Sequence, residues 1–159
     1  MRLIIPLIAL FMLLGTAYAA TGTDMKCDTA ECRMAEELKQ VEIFVKMNVE
    51  RVIDGDTFVG NGKKIRLWGI NAPEKDEPGY LASQLLLQGL IQGSDDLTCK
   101  FINEDPYERD VMHCYLGTAD LGSMMVQVGM AKDYRKYSGG YYQYEQTNAK
   151  EKQLGIWKP

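Results

Sequence analysis

Between Ile53 and Glu74 the chain reads IDGDTFVGNGKKIRLWGINAPE, and Asp54, Asp56, Arg66, Asn71 and Glu74 together have the makings of phosphate chemistry. Hard cations take carboxylate and amide oxygens. A guanidinium matches two phosphate oxygens at once, and a glutamate beside a water can accept its proton. Asp54 and Asp56 are two apart, so on a strand both face one side, with Gly55 allowing a bend. DGDT is also a turn composition, and it lacks the spacing of an EF-hand loop. Further on, Arg109 follows Pro106 in DPYERD, and His113 shares its strand parity. Taken singly, each of these residues reads more readily as surface or turn than as function.

Elements must hold such residues in place. VEIFVKMNVERVID alternates, with Val41, Ile43, Val45, Met47 and Val49 on one side, which predicts a half-buried strand. Two strands flank Asn61-Gly62, the strongest short hairpin signal; Ile65 and Leu67 share one face of the second, Arg66 and Trp68 the other. YLASQLLLQGLIQG predicts an apolar helix, and LTCKFINE with RDVMHCYLG a strand pair. DLGSMMVQVGMA predicts a helix capped by Asp120. QYEQTNAKEKQLG predicts a last helix ended by Gly155 and anchored by Trp157. CDTAECRMAEELKQ predicts a helix ahead of all these. The order implies an α+β chain with about five short strands, which suits a partly open Greek-key barrel of the oligonucleotide-binding type.

A chain of 159 residues suits one domain. Its opening, MRLIIPLIALFMLLGTAYAA, has one basic residue, an apolar run and small residues around Ala19, the layout of a signal peptide spanning residues 1–19. The apolar run is short for a membrane span. Residues 20–40 then form a helical extension and residues 41–159 the domain. Losing Arg2 with the leader makes the formal charge of −4 one unit more negative. Phosphate binding must therefore rest on a few placed cations, not on a basic surface. In an oxidising compartment the four cysteines allow three pairings, of which Cys27–Cys32 and Cys99–Cys114 are expected, the second joining two strands around a turn. With one histidine and no two-residue cysteine spacing, a zinc knuckle is not indicated.

VIDGDTF, IRLWGINAPE, DPYERD, VQVGMAKDYRKY and AKEKQLGIW, in that order over residues 41–158, resemble the staphylococcal-nuclease-like (thermonuclease) family. The resemblance implies a five-stranded oligonucleotide-binding barrel with about three helices. It implies calcium-dependent cleavage of DNA or RNA phosphodiesters with little sequence preference, leaving 3′-phosphate and 5′-hydroxyl ends. By the same resemblance Asp56, Asn71 and the Ala72 backbone carbonyl would hold calcium. Arg66 would contact the scissile phosphate, Glu74 would position or deprotonate water, and Arg109 would stabilise the transition state. Tyr134 would line a nucleotide pocket, and the protein would act as a monomer. His113 receives no role.

Two positions depart from the family pattern. Asn71 stands where the family usually has an aspartate, so one carboxylate of the metal site becomes a neutral amide; Asp54 would compensate if it turned inward. Glu108 replaces a usual glycine and would compete with phosphate if it faced Arg109. The rival reading is a non-catalytic barrel that binds single strands or a protein partner. A third is a disulfide-bonded interaction protein whose N-terminal helix docks elsewhere. Tyrosines 134 to 144 would stack bases or pack on one another.

Overall fold

The computed structural model describes residues 43–159. The expected leader, the helix over residues 27–40 and the Cys27–Cys32 pair lie outside the described residues.

Nine strands and four α-helices follow one another from residue 44. The strands are β1 (Phe44–Lys46), β2 (Val49–Val52), β3 (Thr57–Gly60), β4 (Lys63–Leu67), β5 (Ile70–Asn71), β6 (Leu97–Glu104), β7 (Asp110–Leu116), β8 (Ala119–Asp120) and β9 (Lys132–Asp133). The helices are α1 (Tyr80–Ile91), α2 (Leu121–Gln127), α3 (Arg135–Ser138) and α4 (Gln143–Glu151), followed by a 3₁₀ turn over Gly155–Trp157.

The main sheet runs β1-β6-β7-β4-β3-β2. Its two end strands are consecutive in the chain, joined by Met47 and Asn48, so one segment pairs with β6 at one end of the path and with β3 at the other. The sheet therefore curls back through a single bent strand, as in an oligonucleotide-binding barrel left partly open. The parallel pairing of β4 with β7 supplies the Greek-key crossing.

Local chemistry explains the elements. Asn61 and Gly62 both take positive φ, 51° and 77°, as the type I′ turn between β3 and β4 requires. Along α1, Ser83, Leu87 and Ile91 recur every four residues and are buried. Each buried aliphatic side chain there contributes about 1.5–3 kcal/mol. Asp120 caps α2, its carboxylate accepting from Ser123 N. Cys99 lies opposite Cys114 in the β6–β7 ladder and the two form the expected disulfide, Cα atoms 4.0 Å apart, inside the core. Closing that loop contributes about 3 kcal/mol in the chain-entropy picture.

Two expectations need correction. Ile43 and Val45 do not face the core: both are exposed, and among the described residues of that stretch only Met47 is deeply buried, because the strand breaks there to bend between its two partners. The last helix stops at Glu151, before Gly155; Gln153 already takes positive φ (52°), and Ile156 N then donates to Gly129 O. Trp157 is half-buried, with Lys150 over its ring.

Candidate active site

Helix α1 sets the position of the DGDT turn. Tyr80 Oη and Gln84 Nε2 both donate to Ile53 O, at 3.3 and 2.7 Å. Gly55 presses so closely on the helix that a Cβ there would lie 1.8 Å from Ser83 Oγ. The glycine therefore serves close packing as well as the bend. Asp54 Oδ1 accepts the Asp56 N–H at 3.0 Å, an Asx-type turn bond, and its carboxylate lies close enough to Asp56 to raise that carboxyl by charge and hydrogen bonding.

Asp56 follows, only 4% exposed. Its Oδ2 accepts Ala72 N–H at 2.7 Å and lies 2.5 Å from Arg66 Nη1, while Oδ1 accepts from Thr57 Oγ1 at 3.0 Å. Burial pushes the Asp56 carboxyl up to about 6, against the pull of the Arg66 charge. Arg66 comes from β4, opposite Thr57. Its Nη2 donates to Ile70 O at 3.0 Å and Asn71 Oδ1 at 3.3 Å. Nη1, although beside Asp56, is buried without a correctly angled hydrogen-bond acceptor.

Arg66 is the register partner of Val111, so Arg109, two residues earlier, falls by alternation on the same sheet face. Arg109 reaches Asp105, with Nε at 2.8 Å and Nη2 at 2.7 Å from Oδ2. Burial raises the Asp105 carboxyl, but the hydrogen bonds from Arg109 and Tyr107 outweigh it and hold it below its ordinary range. Glu108 is therefore not the acid that faces Arg109. It occupies a left-handed turn position, φ 58°, which explains why glycine suits that place.

The expected residues come together unequally. Asp56, Arg66, Asn71 and Ala72 form one contiguous cluster. Glu74 is exposed, three residues past Asn71, with its N–H on Glu77 Oε2. Tyr134 is held beside β5 by its N–H on Gly69 O, and its ring meets Tyr137 edge-on. The hollow lined by Asp76, Glu77, Tyr80 and Leu81 contains none of these groups except as sequence neighbours of Glu74. Sequence reasoning missed Asp105 and the Ile70 carbonyl. The Asp-Pro turn signalled the first, since Asp105 Oδ1 accepts Tyr107 and Arg109 N–H; nothing in side-chain chemistry signalled the second.

Tested against calcium, this donor set fits poorly as it stands. The Arg66 guanidinium already contacts the Asp56 carboxylate, the Asn71 amide oxygen and the Ile70 carbonyl, and Ala72 meets Asp56 through its N–H, where the expectation had its carbonyl as a ligand; Asp54 adds a second carboxylate beside Asp56. Calcium takes six to eight oxygens and gains most from anionic ones. Among the described residues no group of three or more His, Cys, Asp or Glu is placed to hold a metal.

Comparisons with known proteins agree with the fold. The chain is 30% identical over 118 residues to the succinoglycan biosynthesis protein ExoI of Rhizobium meliloti (strain 1021), a match covering 67% of this chain and 62% of that protein. A family model described as staphylococcal nuclease homologue matches residues 64–159, which include Arg66, Asn71, Glu74 and Arg109 but not Asp56. With more than half its length matched, and with the sheet order and the arginine-bearing strands described above, the chain belongs to the staphylococcal nuclease homologue family.

Proposed function

We propose that residues 41–159 form a nuclease that hydrolyses DNA or RNA phosphodiesters with little sequence preference and with a weakened affinity for the calcium typical of the family. The observation that carries this reading is the pair of arginines on one sheet face, Arg66 on β4 and Arg109 just before β7. Hydrolysis adds negative charge to the equatorial phosphate oxygens, and two fixed guanidinium groups are suited to offset it. Asp105 engages one edge of Arg109, Nε and Nη2, which leaves Nη1 for phosphate. Glu74 takes a proton from water as its oxygen attacks phosphorus. The bond to the 5′ oxygen breaks, and that oxygen leaves as a hydroxyl once protonated by solvent.

The protein is further proposed to be exported by a leader over residues 1–19 and to act as a monomer; N-terminal sequencing of the exported chain would then begin at Ala20. Among the described residues no helix is long and apolar enough to cross a membrane.

A second reading, a non-catalytic barrel binding single strands or a protein, draws support from the engagement of Arg66 by Asp56 and Asn71. One assay separates them. Purified protein is incubated with DNA and with RNA across a calcium titration, beside Glu74→Gln. Cleavage lost in the variant establishes the enzyme; binding without cleavage at every calcium level favours the second reading.

A further inference from the structure

Helix α1 carries no charged residue along YLASQLLLQGLI, although its outer face meets solvent. Its inner face is buried at Ser83, Leu87 and Ile91. At about 100° per residue, the position opposite those three is Leu85. Leu81 and Gly89 flank it, one turn before and one turn after; Leu81 is 61% and Leu85 56% exposed. A surface helix ordinarily turns charged residues outward, and one that is apolar all round is a buried helix. Gly89 adds to the anomaly. A glycine inside a helix costs about 0.5–1 kcal/mol relative to alanine. A Cβ at this position would meet nothing within 4 Å, so packing among the described residues does not call for glycine.

We infer that the outer face of α1 is an interface between two copies of this chain, the helices running antiparallel about a twofold axis at Leu85. The row Leu81, Leu85 and Gly89 is self-complementary in that arrangement. Leu85 meets its own copy, and Leu81 of each chain enters the gap left at Gly89 of the other. Rows of residues four apart lie alongside one another when helices cross at about 50°, the commonest packing class. A twofold pairing uses one patch twice. The uncharged centre favours a like copy over a charged partner, since the nearest charges along the chain, Glu77 and Asp95, stand beyond the two helix ends. Gln88 Nε2 donates to Gln92 Oε1 at 2.6 Å, which occupies polar groups beside the row. A helix about 18 Å long covers less than the ~800 Å² per partner of a standard interface, so the pair is weak and forms only in concentrated protein. Arg66, Glu74 and Arg109 all lie outside α1. Each copy therefore keeps its own site, and the inference stands apart from the proposed function.

Sedimentation velocity of the full chain over a concentration series tests it. The parent should pass from monomer to dimer between about 10 μM and about 1 mM. Leu85→Glu sets like charges together on the axis and should weaken association at least about tenfold. Gly89→Leu should weaken it as much by filling the gap, although it favours the helix and enlarges the exposed apolar area. Association of Gly89→Leu equal to or tighter than the parent's overturns the inference. So does a parent that stays monomeric at about 1 mM, which leaves the face to an unlike partner. Mild oxidation then checks the geometry. Leu85→Cys should cross-link copy to copy, while Gln92→Cys, also exposed but about 20 Å from its twin, should not. Equal cross-linking by both variants overturns the antiparallel pairing.

Discussion

Two polar clusters on this barrel, Asp56–Arg66 and His113–Asp120, are completed very differently. Asp120 Oδ2 lies 2.7 Å from His113 Nε2, and Tyr142 Oη reaches both carboxylate oxygens at 3.1 and 3.2 Å. Asp120 Oδ1 also caps α2, His113 Nδ1 meets Tyr115 Oη, and Trp68 covers the imidazole at 4.9 Å. Every polar atom of that cluster is used, and Tyr142 is 1% exposed. Burial first, and then Asp120, raises the Tyr142 phenol so that it stays protonated. In the Asp56 cluster, by contrast, Arg66 is held by the Asp56 charge and by the Ile70 and Asn71 oxygens, and the carboxyl of Asp56 is itself raised by burial. A fully satisfied network rigidifies a core. The first cluster is closed upon itself, and the second is the one on which the proposed function draws.

The sharpest way to break this contrast is Asp120→Ala. Loss of the cap and of the partner for His113 and Tyr142 should cost roughly 3 kcal/mol, lowering the melting temperature by on the order of 10 °C. Cleavage per folded molecule should change by no more than about twofold. A large rate loss at preserved stability would move the catalytic centre to His113. Arg109→Ala should show the opposite pattern: a rate lower by on the order of a hundredfold, about 2.7 kcal/mol in the barrier, with little change in melting.

The pH dependence sharpens the comparison further. The Asp56 carboxyl is raised from 3.8 to about 6, so the folded state holds that proton more tightly than the unfolded chain does. Stability from this group is therefore present below pH 3.8, falls as pH rises towards 6, and levels off above. The slope is at most about 1.4 kcal/mol per pH unit. Urea unfolding from pH 4 to 7 should show this decline in the parent and lose it in Asp56→Asn; parallel curves would contradict the assignment.

Smaller effects are expected at the two departures from the family pattern. Asn71→Asp restores a charged oxygen and should lower the calcium needed for half-maximal cleavage by roughly tenfold, about 1.4 kcal/mol. An unchanged requirement would remove Asn71 as the cause of weak metal affinity. Glu108→Gly relieves a left-handed backbone and should stabilise the domain by about 1 kcal/mol in chemical denaturation. A loss of stability would show that the Glu108 side chain does more than tolerate its turn.

Much of this was legible beforehand where neighbours along the chain decide the outcome. Asn-Gly demanded its hairpin, Asp120 its helix, and the parity of Arg66 with Trp68 followed from strand geometry. The β5–β9 pairing escaped notice because a two-residue strand has no period to detect. Burial of β1 was misread because alternation says that one face is apolar but not whether anything covers it.

The sequence by itself determined the inventory: two arginines, a glutamate, one acid where two are usual, and the hairpin and helices that carry them. These are properties of residue type and short-range spacing. Only the tertiary structure decided that Arg66 lies against Asp56, that Asp105 rather than Glu108 holds Arg109, and that His113 is locked to Asp120. Those choices depend on where distant segments meet in space, and at short range and low dielectric the nearest opposite charge wins.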